Sequence, residues 1–529
     1  MKNFVLPKKI IFSEGEFKNL NSLLHCQIDQ SSFAFDDGFE LNGGGTIVLD
    51  FGKELSGGLR ITNRGSNAGH NLIHITFGES VSEVMTKVGE FNSTNDHSPR
   101  EFDYLLPDFS TIEVGNTGFR FVKIDFPRDI NQRIYSINAI EHLLDDKMFG
   151  EFESSDEELN KIFEVASRTA TLCVQNYILD GIKRDRLVWS GDLFQEIKSI
   201  FYLYGNIKEI EKTLLFIEET NKMPCYIQGM PTYSLWYIAC LNEYFKFVGK
   251  CKFLEERSKY VEDILNLINK AVNKDGLLIY DDSINYALPY FIDWRTAEIQ
   301  NAKLAAPSFY LYFLNESKEL FKYLKLNEMT RCIVDKLTKF TPKFLNVSQF
   351  DCFALLNDKI DHRLVLDSIS KTRETQLSTF SNYFVFKSIF DYDKDLSLSM
   401  FKNYHMAMID LDATTFFEEF EYSWKDSIKI NEMPNGKFDM YRDVGLSCYK
   451  GLRKSLCHGW ASGPVSFIFE NIVGFKGVQN NKIIFKPYLN GLKNFKAKFL
   501  CSLGVVEVEY KNNNFIVKTP KNTEFEILK

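Results

Sequence analysis

The chain has 529 residues, a formal net charge of -8, 44% hydrophobic, 15% aromatic and 25% charged residues. That length suits several domains, and the apolar fraction excludes disorder as the main state. The acidic balance argues against a nucleic-acid partner, whose binding rests on cations neutralising phosphates.

The longest apolar stretches, such as 304–314, stop well short of the ~20 residues a bilayer span requires, so no membrane association is expected. Pro7, Lys8 and Lys9 interrupt the apolar core that a signal peptide needs. The ten cysteines are scattered without a C-x-x-C pair, which in a chain of this size reads as buried, reduced thiols and a cytoplasmic location.

From the N-terminus, TIVLDF (46–51), GLRITN (58–63), NLIHITF (71–77) and GFRFVKIDF (118–126) alternate apolar with polar residues between Gly-rich or Asn-rich turns. This is the pattern of antiparallel strands with one packed face and one wet face. Near residue 150 the period lengthens to three and four residues. A helix is expected over 151–176, with Ser154, Ser155 or Asp156 as N-cap and Glu157 and Glu158 in the first turn. Further helices are expected at 192–204, 206–220, 232–248, 253–272, 300–314, 316–326, 328–341, 376–391 and 393–408. So many helices exceed a four-helix bundle and fit a ring of helical hairpins. After Gly477 strands return at 482–488, 495–502, 505–510 and 515–519, with turns at Gly504 and Asn512–Asn514. Residues 479–529 hold nine Lys against four Glu, which reads as the wet face of a sheet protected at its edges. The expected organisation is multidomain: a central all-α (α/α)6 toroid over 147–470, flanked by antiparallel β-sandwich domains at 1–146 and 471–529.

All five tryptophans (Trp189, Trp236, Trp294, Trp424 and Trp460) fall in the helical segment, four of them in loop-like, acid-containing contexts. A flat indole beside carboxylates suits a sugar, the ring packing on C–H faces while acids bind hydroxyls or move protons. Glycoside cleavage needs two carboxyl groups, one protonating the leaving oxygen and one activating water or attacking the anomeric carbon. The candidates are Asp180, Asp185 and Asp192 in one cluster and Glu418, Glu419 and Glu421 in another. Asp185 lies between Arg184 and Arg186, cations that lower a carboxyl pKa unless burial or another carboxylate opposes them.

These residues resemble bacterial α-L-rhamnosidases of glycoside hydrolase family 78. The family string Asp-Cys-Pro-x-Arg-Glu-Lys-Leu-Gly-Trp-x-Gly-Asp is matched in length by Asp180-Gly181-Ile182-Lys183-Arg184-Asp185-Arg186-Leu187-Val188-Trp189-Ser190-Gly191-Asp192. Thr414-Thr415-Phe416-Phe417-Glu418 resembles the family's Thr-Thr-x-Trp-Glu, Asp293-Trp294 its Asp-Trp loop, and Ser455-Leu456-Cys457-His458-Gly459 its closing Ser-Leu-x-His segment. The resemblance implies Asp185 as general acid and Glu418 as general base. It implies Asp180, Asp192 and Asp293 as partners of sugar hydroxyls, with Arg184 orienting a carboxylate. Trp189, Trp294 and Trp460 would wall the pocket and His458 would hydrogen-bond substrate. It also implies inversion at the anomeric centre, with the two carboxyls about 6.5–9.5 Å apart. The chain departs from the family in having Asp at the acid position, a reach shorter by about 1.5 Å. It departs again in Gly181–Ile182 replacing Cys-Pro and in Phe417 replacing Trp. Glu196, one helical turn past Asp192, is a reserve acid.

Other chemistries are less well supported. His70 and His74 share a strand face and not the helical face of a zincin, Asn42-Gly43-Gly44-Gly45 precedes a strand and not a helix, and Gly459–Gly463 lacks the nucleophile-elbow spacing. No metal and no cofactor is expected. The sequence points to an exo-acting glycosidase taking a small carbohydrate. The alternatives are another (α/α)6 glycosidase or lyase, or a silent carbohydrate-binding protein.

Overall fold

The computed structural model describes residues 2–33, 38–67, 69–128, 130–281, 286, 288–297, 299–446, 449–489 and 491–528. Seven strands form the N-terminal sheet: β1 (Lys2–Val5), β2 (Lys9–Lys18), β3 (Phe39–Ser66), β4 (His70–Gly78), β5 (Glu101–Pro107), β6 (Ser110–Phe126) and β7 (Gln132–His142). Their order is β1-β7-β3-β6-β4-β5, with β2 also on β3, and every pair is antiparallel. The segments 46–51 and 58–63, expected as separate strands, belong to one 28-residue strand whose register on β6 breaks between Asp50 and Leu55. Gly57 lies just past that break, where a Cβ would stand 2.0 Å from the Ile140 carbonyl oxygen, so no larger residue lets β3 and β7 approach. Alternation sorts the faces. Ile47, Leu49 and Phe51 pack with Ile75, Phe119 and Ile124 in a core of their own. Val48 and Phe121, facing the other way, join the main core of the helical region.

The helical region runs from α1 (Glu157–Cys173) through α2 (Leu193–Tyr204), α3 (Lys208–Thr220), α4 (Pro231–Val248), α5 (Ser258–Ala271), α6 (Ala302–Glu316), α7 (Asn327–Leu337), α8 (Ser348–Leu356), α9 (His362–Thr372), α10 (Asn382–Phe390), α11 (Lys394–Asp410) and α12 (Pro464–Phe467). Two kinds of sequence alternate. In α5, buried Val261, Ile264, Leu265 and Ile268 recur at helical spacing and the other face is wet, whereas all of α2 is buried. The helices buried nearly all round touch in a closed circuit: α2 meets α4, α4 meets α6, and so on through α8, α10 and α12 back to α2. The amphipathic helices lie outside them.

Asp156 is the N-cap of α1, accepting the N–H groups of Glu158 and Leu159 at 3.0 and 3.2 Å. The expected helix over 151–176 nevertheless starts late. Glu151–Ser154 form β8, which pairs antiparallel with β11 (Asn494–Cys501) because Phe152 alternates inward beside Phe495. The C-terminal strands β9 (Phe475–Gln479), β10 (Lys482–Phe485), β11, β12 (Gly504–Lys511), β13 (Asn514–Lys518) and β14 (Glu524–Ile527) make two sheets, β13-β12-β11-β8 and β14-β10-β9. The β10–β14 pair is parallel, unlike the antiparallel pairing expected there. The expected helix at 376–391 begins only at Asn382, because Arg373–Gln376 turn as a 3-10 helix. The nine described cysteines are free thiols, and Cys448 lies outside the described residues. Among the described residues no helix is long and apolar enough to cross a membrane.

Candidate active site

Five of the six inner helices begin at one place. Asp192 immediately precedes α2, Tyr233 lies in the first turn of α4, and the segments at Asp293–Trp294, Ser378–Phe380 and His458–Trp460 lead into α6, α10 and α12. Helix N-termini carry partial positive charge, which favours gathering carboxylates there.

The loop from α1 to α2 crosses this mouth. Asp180 staples it, its carboxylate oxygens accepting the backbone N–H of Leu187 at 2.9 Å and of Asp185 at 3.1 Å. The Asp180 carbonyl accepts the N–H of Gly459 at 2.7 Å, tying the loop to the 458–460 segment. Lys183 turns away from the mouth. Buried, it meets Glu79 at 3.0 Å and Glu83 at 3.2 Å and donates to the Lys454 carbonyl at 2.7 Å.

Glu418 follows α11 on an extended segment locked to 455–458. Its own N–H donates to the Ser455 carbonyl at 3.0 Å, and its Oε2 accepts the Ser455 N–H at 2.8 Å. Ser455 Oγ and the Leu456 N–H in turn donate to Glu79 at 2.9 and 2.6 Å, so the N-terminal sheet braces the segment that holds Glu418. The Glu418 carbonyl accepts from Thr379 Oγ1 at 2.6 Å and from the Trp460 indole N–H at 3.1 Å. Little rotational freedom is left to this side chain, which is 3% exposed.

Arg184 stands between the two candidate catalytic groups. Its Nη2 lies 3.5 Å from Glu418 Oε1 and its Nε 3.4 Å from Asp185 Oδ1, and the guanidinium faces the Tyr449 ring at 5.3 Å. Two nitrogens of one guanidinium are about 2.3 Å apart, so the carboxyl oxygens of Asp185 and Glu418 are separated by at most about 9 Å. Asp185 is the more open of the pair, with 21% of its side chain exposed, and His97 Nε2 lies 3.2 Å from its Oδ1.

His458 Nε2 lies 3.6 Å from Glu418, 3.8 Å from Asp180 and 3.9 Å from Asp192. These separations exceed hydrogen-bond reach and leave room for a polar group among the four. Burial and the Arg184 charge hold the imidazole well below its usual pKa, hence neutral. Asp180, Asp192 and His458 are also the described residues whose ligand atoms lie close enough together, within 4.8 Å, to share a cation. Desolvation dominates the carboxyls. It raises Asp180 to about 8, helped by the Asp185 charge, and Glu418 to about 7 against the opposing pull of Arg184. Asp192 rises well above the usual range through burial and the charge of Asp180.

Glu418 also lines a small cleft with Asp293, Trp294, Thr379, Tyr449 and Trp460. A larger groove of the molecule, between α1 and the β8–β11–β12 sheet, lies away from these groups. Asp293 accepts from Ser378 Oγ and from the Arg295 N–H at 3.3 Å. The Tyr449 ring meets Trp294 edge-on at 5.8 Å and Trp460 at 6.0 Å. Trp189 packs edge-on against Tyr233 at 6.0 Å, and Tyr233 donates to Asp192 at 3.4 Å. The structure thus brings Asp180, Arg184, Asp185, Asp192, Glu418, His458 and Trp460 together, with Asp293 and Trp294 across the cleft and Trp189 at the Asp192 side.

The remaining sequence candidates divide, with Glu419 lining the cleft and the others outside it. Glu196 packs against Gly459, where an added Cβ would overlap its Oε1, and it does not line the cleft. Glu421 is paired with Arg295 at 3.1 Å, and Trp236 is a core residue at 1% exposure. Glu419 does line the cleft and is raised to about 7 by desolvation. Sequence reasoning gave no role to Lys183 inside the Asp180–Asp192 string and missed Glu79, Tyr449, Thr379 and His97, which no local motif marks.

Residues 147–331 match the family model described as the bacterial alpha-L-rhamnosidase 6 hairpin glycosidase domain. The fold is similar to that of the GH78 family rhamnosidase of Bacillus sp. GL1, with a TM-score of 0.74 and 16% identity over 96% of this chain and 55% of that one. It is also similar to the Aspergillus terreus α-L-rhamnosidase, at 0.71 and 15% over 97% and 62%. A third likeness is to the Klebsiella oxytoca rhamnosidase solved with rhamnose bound, at 0.67 and 19% over 81% and 88%. The chain therefore spans little more than half the length of the Bacillus protein. No curated protein sequence matches it.

Proposed function

We propose that this chain, which belongs through residues 147–331 to the bacterial α-L-rhamnosidase six-hairpin glycosidase family, removes a terminal α-L-rhamnosyl or related 6-deoxy-hexosyl group from short glycosides with inversion. Asp185 is the general acid and Glu418 the general base that draws a proton from the attacking water. Asp180, Asp192, Asp293 and His458 take sugar hydroxyls, Arg184 orients the two carboxyls, and Trp189, Trp294 and Trp460 wall the sugar. The architectural reading is an (α/α)6 toroid over 147–470 between β-sandwich units at 1–146 and 471–529; the closed circuit of inner helices supports the toroid. With a cytoplasmic location, the substrates are imported oligosaccharides or plant glycosides rather than polymers.

One observation carries the mechanism. Two acids far apart in sequence share one guanidinium, which keeps them within about 9 Å of each other, close enough to act on one glycosidic bond. A neutral His458 beside carboxyls can accept or donate to hydroxyls without adding charge. Apolar walls favour the rhamnose methyl over a hydroxymethyl by only about 1–3 kcal/mol, so the sugar is the first thing to test.

The test is a panel of aryl glycosides including α-L-rhamnoside, α-L-fucoside, α-L-arabinoside and β-D-glucuronide. The rhamnoside is the expected substrate, with Glu418→Gln and Asp185→Asn each lowering kcat by about 10²–10⁴-fold. Turnover of another glycoside alone would move the sugar assignment. Ligand-induced stabilisation without turnover of any would mark a binding protein instead.

A further inference from the structure

We propose that His97, on the loop between β4 and β5 of the N-terminal sheet, is the positioning residue of the candidate acid Asp185, fixing which carboxyl oxygen carries the proton that reaches the leaving group. The inference rests on the glycosidase reading above and adds to it a contribution from outside the helical region.

The approach is close and one-sided. His97 Nε2 lies 3.2 Å from Asp185 Oδ1, and Arg184 Nε approaches the same oxygen at 3.4 Å. In the proposed role His97 Nε2, the nearer of the two nitrogens, donates to Oδ1 and leaves Oδ2 to carry the proton of the acid form. Both side chains are about a quarter exposed, at 24% and 21%, so the pair stands at the entrance, where an aglycone leaves.

The placement of His97 is built and not incidental. Its φ is +69°, in the left-handed region that side-chain-bearing residues adopt uncommonly. Its surroundings are tied down on both sides. Ser98 Oγ pairs with Thr117 Oγ1 at 2.7 Å and donates to the Lys183 carbonyl at 3.3 Å, two residues before Asp185. Asp96 meets Arg453 at 3.6 Å, and Asn95 Oδ1 accepts the N–H of Arg100 at 2.9 Å and of Glu101 at 3.1 Å. The loop carrying His97 and the loop carrying Asp185 are therefore bonded to each other beside the pair.

The step balances as follows. Asp185 Oδ2–H gives its proton to the glycosidic oxygen while the bond from that oxygen to the anomeric carbon breaks, its electron pair leaving with the aglycone. Water adds to the anomeric carbon and yields a proton to Glu418. One water is consumed, and a free sugar and an alcohol are released. His97, with its proton on Nε2, donates to Oδ1 throughout and is neither consumed nor changed.

Leaving-group dependence tests this directly. A 2,4-dinitrophenyl α-L-rhamnoside departs without protonation, whereas a methyl α-L-rhamnoside needs the acid. His97→Ala should lose at least about 10-fold more kcat/KM on the methyl than on the dinitrophenyl substrate. His97→Leu, which fills the space without a donor, should show the same split, and His97→Gln, which keeps an N–H, should recover most of it. Equal losses on both substrates, or none on either, would overturn the positioning role. Wild-type protein that cleaves neither substrate would overturn the glycosidase reading itself, and that result is read before any variant is made.

Discussion

The inner helices carry two clusters of charge, and the two clusters handle it in opposite ways. In one cluster Lys198, midway along α2, meets Glu470 at 2.7 Å and the hydroxyl of Tyr383, in the first turn of α10, at 2.7 Å, and that hydroxyl donates to the other Glu470 oxygen at 2.6 Å. Nearby, the more exposed Lys246 pairs with Glu243 at 3.0 Å and Glu316 at 3.2 Å. Burial pushes the Glu470 carboxyl up, but Lys198 and Lys387 outweigh it and bring it down to about 2. At the N-terminal mouth, Asp180, Asp192 and Glu418 crowd around a single nearby guanidinium, and burial wins, raising all three. Burial of acids alone does not mark a site. Acids left short of cations do, because the fold tolerates that cost only where something else is gained.

The largest effect on stability should come from unbalancing the cluster that is balanced. Lys198→Met leaves Glu470 with Lys387 alone, and breaking such a pair costs about 3–5 kcal/mol. Chemical denaturation should show a loss near the lower figure, because Lys387 remains, while the kinetic constants of the folded protein stay as they were. Unaltered stability would show that the network contributes little to the ring.

A smaller but sharper contrast lies in pH. The folded Glu418 carboxyl holds its proton up to about 7, against an ordinary 4.5, so between those values the folded state binds a proton that the unfolded state has lost. Its contribution makes stability fall as pH rises through that window, by at most about 1.4 kcal/mol per pH unit. Glu470 acts in the opposite sense: it stabilises above 4.5, and that contribution is lost as pH falls toward about 2. Denaturation midpoints across pH should therefore show Glu418→Gln reducing the first slope and leaving the acid limb intact, while Glu470→Gln does the reverse. A base must be deprotonated, so kcat/KM of the wild type should also fall about tenfold per unit below pH 7. A flat rate profile between pH 5 and 7 would argue against Glu418 as the base.

What could be read from the sequence follows the same division. Most outer helices announced themselves through apolar residues at helical spacing, as in α5, although α9, with only Val365 and Ile369 buried, is not among the helices expected from the sequence. The inner α8, SQFDCFALL, is short and buried nearly all round, so it has no wet face to reveal its period, and it went unread. Glu151–Ser154 were taken into the following helix because four alternating residues directly before an N-cap are too few to establish a strand; the partner that makes them one lies in β11. At the mouth, the run from Asp180 to Asp192 and the segments around Glu418 and His458 were legible as motifs, because one loop holds several of their side chains. Glu79 and His97 were not, since each reaches the mouth from the N-terminal sheet and stands alone in its own stretch of chain.

The most direct test of the central claim, a single displacement by water between Asp185 and Glu418, is the configuration of the sugar first released. Proton NMR of an aryl α-L-rhamnoside during hydrolysis should show the β-anomer of L-rhamnose first, with the α-anomer growing in by mutarotation. Initial release of the α-anomer would contradict the account, because it requires a covalent intermediate and a second displacement.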